Sequence, residues 1–173
     1  MAAVLAVAAV LVAVGLYWFQ PWKLWQDQTV SEALPGAGPS ASVPGPGAVA
    51  PPAAGRLQIV SSGRLISHEH TTTGTVKVVR LADGSHVLRL EGLDTSNGPD
   101  LRVWLTDAPV KEGVAGWRVF DDGKHVSLGR LKGNKGDQNY PIPADVRFSE
   151  YTSVTIWCAR FDVSFGAAAL TAV

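Results

Sequence analysis

Three hydrophobicity patterns follow one another along the chain. Ala2 to Phe19, AAVLAVAAVLVAVGLYWF, is apolar throughout and holds neither a charge nor a proline. At ~1.5 Å per residue it spans ~27 Å as a helix, against a bilayer core of ~30 Å. Residues 35 to 55, PGAGPSASVPGPGAVAPPAAG, carry no charge and almost only Pro, Gly, Ala, Ser and Val, a composition that cannot bury a core. From Arg56 the period becomes two. In DLRVWLT, Leu101, Val103 and Leu105 point one way and Arg102, Trp104 and Thr106 the other.

HVLRLEG, GTVKVVRL, HVSLGRLK, SVTIWCA and FDVSFG read as further short strands, and GNKGDQNY leads into another over Gln138 to Ile142. Ala82-Asp83-Gly84, Ser96-Asn97-Gly98-Pro99, Asp121-Asp122-Gly123 and Gly133-Asn134-Lys135-Gly136 are the turns between them. Helical periodicity is limited to a single turn after Asp107-Ala108-Pro109. About eight short strands predict an all-β antiparallel β-sandwich, with a small β-barrel as the second choice. The expected organisation is a transmembrane anchor with an aromatic interface over 1–25, a Pro/Gly/Ala-rich linker over 26–55 acting as a stalk, and the β-sandwich over 56–173.

Tyr17, Trp18, Phe19, Trp22 and Trp25 surround Lys23 at the end of the apolar run, the composition of a membrane–water interface. Bulky aromatics stand where a signal peptidase needs small residues, which argues for retention over cleavage. A buried core helix would be apolar on one stripe, and this segment is apolar all round. Lys23 follows the span and no Lys or Arg precedes it, so the positive-inside count alone puts the body in the cytoplasm. The missing basic n-region leaves room for a start upstream of Met1. Basic and acidic residues balance at 15 each, so no electrostatic footprint for nucleic acid exists.

Cys158 is the single cysteine. An intramolecular disulfide and a dithiol cycle are both excluded, leaving a sheltered core residue, a reagent, or a bridge to another chain. Strand alternation puts Cys158 on one face with Val154 and Ile156, and Thr155 and Trp157 on the other. Free cysteine among β-branched residues packs as a small hydrophobe and is inert. Against that, Arg160 follows two residues later, where a cation would lower the thiol pKa. The apolar alternation also shifts phase between Cys158 and Phe161, which predicts a bulge or tight turn near Ala159-Arg160.

His68-Glu69-His70 places two imidazoles at i and i+2, on one face if the segment is a strand. Such a pair could supply metal ligands or one axial haem ligand; an exposed turn leading into Thr71-Thr72-Thr73 is the alternative. His86 and His125 stand beside turns as surface residues. Asp94, Asn97 and Asp100 fail the EF-hand spacing, and Asp100 is expected to cap the Asn97-Gly98-Pro99 turn. GNKGDQNY lacks the Walker spacing, and no GxSxG occurs, so neither phosphate cradling nor a hydrolase is indicated, and no metal site can be assembled.

Gly74-Thr75-Val76, Leu88-Arg89-Leu90 and Asn97-Gly98-Pro99-Asp100-Leu101, then LGRLKGNKGDQNYPIP from Leu128 to Pro143, YTSVTIWCARF from Tyr151 to Phe161 and FGAAAL from Phe165 to Leu170, together resemble the DM-thirteen domain family over nearly all of the body. The resemblance implies extracytoplasmic electron transfer through Cys158, as a bare thiol or as a haem thiolate. It also matches His70 to a recurring histidine ahead of the Gly-Thr-Val strand. For a haem, His70 would be a second contact and Trp157, with Phe161 and Phe165, would wall the ring. The body is then expected outside the cell on a single-pass anchor, with a membrane or exported redox protein as partner. A non-catalytic binding or scaffolding sandwich with Cys158 in its core remains the competing expectation.

Overall fold

The computed structural model describes residues 1–36 and 57–173. Helix α1 (Ala2–Phe19) covers the apolar run, has no buried residue, and ends in a left-handed Gln20 whose amide closes on the Leu16 carbonyl. With mean hydropathy 2.4 over its most apolar stretch, it is long and apolar enough to cross a membrane. A 3₁₀ turn (Pro21–Trp25) follows.

Among the described residues eleven strands follow: β1 (Thr29–Ser31), β2 (Gln58–Arg64), β3 (Ile66–Ser67), β4 (Thr73–Arg80), β5 (His86–Asp94), β6 (Leu101–Thr106), β7 (His125–Arg130), β8 (Lys135–Ile142), β9 (Ser153–Cys158), β10 (Val163–Ala169) and β11 (Thr171–Ala172). One sheet runs β1-β8-β5-β4-β2-β11 and the other β3-β10-β9-β6-β7. All pairings are antiparallel except β1 with β8. The two sheets stay separate, so the architecture is a sandwich and not a barrel.

Period two explains the core. Val76, Val78, Leu88 and Leu90 of the first sheet meet Val103, Leu105, Val154 and Ile156 of the second, all fully buried. Each contributes about 1.5–3 kcal/mol of burial. The second sheet also has a covered outer face. There Trp104, Phe120, Trp157 and Ala167 form a smaller cluster under the 107–124 segment, so every residue of β9 is buried. Within that segment the single turn is 3₁₀ over Val114–Gly116, several residues beyond Pro109.

The first sheet's outer face is charged instead. Arg89 is nearly buried, and its guanidinium donates to Glu91, Asp137, Asn139 Oδ1 and the Glu32 carbonyl at 2.8–3.0 Å. A desolvated cation is tolerated because its donors are matched by acceptors.

The linker expected over 26–55 does not begin at residue 26. Thr29 to Ser31 pair with Lys135 to Asp137, and Asp27, Gln28, Glu32 and Ala33 all bond to the block before and within β8. The chain therefore passes from α1 through a short turn directly into the body. The Pro/Gly segment, most of which lies outside the described residues, joins β1 to β2 of one sheet. It does not stand between helix and body, so the expected stalk has no place there.

Candidate functional site

Cys158 ends β9, opposite Leu101 on β6 and Val163 on β10, at the end of the sandwich nearest α1. Its side chain lies in the main core with Val154 and Ile156, at 0 % exposure. Burial pushes the thiol up from its ordinary range. The backbone amides of Arg160, Phe161 and Asp100 act the other way, and the Glu69 carboxylate adds to the rise. The thiol is thus protonated at neutral pH and shielded from bulk reagents.

The cationic activation expected from Arg160 is absent. Its guanidinium instead donates to the carbonyls of Tyr17 (3.4 Å) and Trp18 (3.1 Å) and lies over both rings. A cation on the last carbonyls of a helix also answers the helix dipole. Phe161 continues the contact, stacking on Phe19 at 5.6 Å between centroids.

The tight turn expected after Cys158 is present. Phe161 N donates to the Cys158 carbonyl, and Asp162 takes a left-handed backbone. The bulge falls later, where the register shifts between Ser164 and Gly166. Phe165 is the extra residue, and its ring packs against His70 at 4.0 Å.

His70 reaches an apolar cleft of about 260 Å³ between the end of α1 and the body, lined also by Phe19, Pro21, Lys23, Phe161 and Phe165. His68 goes elsewhere, because residues 68–70 follow β3 as bends and not as a strand. Its Nε2 donates to the Lys111 carbonyl at 3.1 Å, which fixes the tautomer, so Nδ1 accepts from the Ser164 hydroxyl at 2.7 Å. Burial holds its pKa below the ordinary histidine value. The two imidazoles share no site, and among the described residues no group of three His, Cys, Asp or Glu side chains could hold a metal. His86 is half-buried against Phe148, and His125 stacks on Trp104 at 4.2 Å.

Trp157 lies on the opposite face of β9 from Cys158, stacked on Trp104 at 5.2 Å under the second cluster. The residues do not fit a thiolate-bound haem. The sulfur is enclosed by β-branched side chains, it does not line the cleft, and Trp157 is separated from it by the sheet.

The DTSNGPD loop is closed on itself. Asn97 Oδ1 accepts from Gly98 N, and Asp100 is ion-paired with Arg102 and Arg130 at 3.2 and 2.9 Å. Burial works to raise that carboxyl, and the two guanidiniums outweigh it and hold it low.

One functional role was missed in the sequence. Asn134 accepts from Gln28 N and donates to Asp27 and the Thr95 carbonyl at 2.7–2.8 Å, while buried Gln138 bonds Lys132 N, Gly133 and Tyr140. GNKGDQNY is the brace that seats the strand leaving the helix. Its spacing gives no such hint, since the partners lie more than 100 residues away.

No curated protein and no solved structure matches the chain. Residues 64–170, from the last residue of β2 to just past β10, match the family model described as electron transfer DM13. With most of both sheets inside that match, the chain belongs to the electron transfer DM13 family.

Proposed function

We propose that the chain is a single-pass membrane protein whose sandwich lies outside the cell and serves electron transfer at the membrane surface. The observation that carries this reading is the meeting, at one end of the body, of Cys158, His70 and the last turn of α1 under the Arg160 contact. Family membership supports the electron-transfer part. The contacts of Arg160 and Phe161 to α1 support retention of the helix, since cleavage would remove their partners.

In this reading Cys158 gives up one electron, and its proton to water, to become a thiyl radical, which an electron from an outside donor and a proton from water return to the thiol. A membrane or exported redox protein accepts the electron, and no resolving thiol is required. The competing reading, a binding or scaffolding sandwich, draws on the complete burial and raised pKa of that same thiol. The full chain in lipid vesicles, wild type against Cys158→Ser, separates the two. Electron exchange with added haem protein, followed by absorbance, should be lost in a variant that melts like the wild type. An unchanged rate in the folded variant gives the function to the scaffold reading.

A further inference from the structure

We propose that the cleft between the end of α1 and the body binds the ring of a lipid-soluble quinone. The choice of ligand class rests on the electron-transfer reading above; the site itself rests on geometry. Its walls are Phe19 and Pro21 from the helix end and Phe161 and Phe165 from the body, so it is apolar on both sides. Among the polar groups that line it, two donors stand without a hydrogen-bond partner. The His70 imidazole has no hydrogen bond among the described residues, its closest carboxylate being Glu69 at 3.8 Å, and the Lys23 ammonium has neither a hydrogen bond nor an ion pair among them.

A flat ring stacks on aromatic walls, and its two carbonyl oxygens accept from exactly such donors as an ammonium and an imidazole N–H. Other occupants suit the cleft less well. An acyl chain has no use for the donors, and Glu69 on the same rim opposes a phosphate headgroup. The cleft opens where the apolar helix ends among Tyr17, Trp18 and Trp22, the depth at which a lipid-phase ring meets water. Phe165, the extra residue of the bulge, packs in the main core and also lines this space.

The test uses the full chain in phosphatidylcholine vesicles titrated with decylubiquinone, read by tryptophan fluorescence quenching. Wild type should show a saturable component above the linear quenching of free partitioning. His70→Leu, which keeps the apolar bulk and removes the donor, and Phe161→Ala should each weaken it about tenfold, the cost of one hydrogen bond or one stacked ring. Both variants lie at the rim, and their melting curves report whether they fold. Absence of saturation, or equal affinity in two folded variants, overturns the site. Saturable binding without electron exchange leaves the site standing and removes the electron-transfer reading; exchange without saturable binding does the reverse.

Discussion

The block from Gly133 to Ile142 and the strand from Ser153 to Cys158 both lie inside the family match, and they are built in opposite ways. The first is wet in composition and closed by hydrogen bonds. Asn134, Gln138, Asn139 and Tyr140 bury polar atoms and find a partner for nearly every one, much of it in residues 27–33. The second is dry on its inner face and needs only shape, with Val154, Ile156 and Cys158 filling space between the sheets. Stability is specified in the first by donors and acceptors and in the second by volume. The first fixes where the helix enters the body, and the second carries the thiol to that same end.

The largest break of this contrast is expected at Gly136, where β1 crosses closest. Its φ is +92°, and a Cβ would lie 2.0 Å from the Val30 carbonyl oxygen. Gly136→Ala meets backbone on one side and a disfavoured conformation on the other. A loss of about 3 kcal/mol or more is expected in urea unfolding. Hydrogen exchange at Val30 and Ser31 should rise with it, since β1 is held only by that edge. Unchanged protection there would mean that β1 is seated by something other than the brace.

Much of the sandwich was legible beforehand, because alternation in β4, β5, β6 and β9 survives as inward and outward faces. The strands missed were those with little pattern to read. β1, β3 and β11 are two or three residues long and mostly exposed, and β2 runs through Ser61-Ser62-Gly63. Trp157 was read as a wall for a haem ring, because nothing local announces that the 107–124 segment will cover its face. Arg160 was read as acting on its near neighbour Cys158. A helix terminus 142 residues away offered its guanidinium better-placed acceptors.

The second strand is broken more gently. Cys158→Ala removes one buried atom and should cost about 1 kcal/mol, the scale of a small cavity. Its pH signature is sharper than its size. A thiol whose folded pKa is raised lends stability fully below the unfolded value, about 8.5, and withdraws it as pH rises. Wild type should therefore lose stability as pH rises above the unfolded thiol's value, and Cys158→Ala should lose less. Tyr140, with its phenol pushed up to about 12 by burial, keeps an alkaline slope above about pH 10 in both. Parallel curves would mean that the thiol ionises as freely in the fold as outside it.

The smallest effect lies on the outer face of the same strand pair and has the opposite sign in pH. His68 is held neutral by burial between the Ser164 hydroxyl and the Lys111 carbonyl, so its folded pKa is below the unfolded value. The unfolded chain then binds more protons, and stability falls as pH drops below about 6.5. His68→Gln keeps a donor for the carbonyl and removes the titration, so its urea midpoint should change less between pH 7 and 5. His86, lowered by its own burial and by Arg80, keeps part of the slope in both proteins. The brace block has no histidine, so an equal acid slope in His68→Gln would place the titrating group with His86 beside β4 and β8 and leave the β9–β10 pair insensitive to acid.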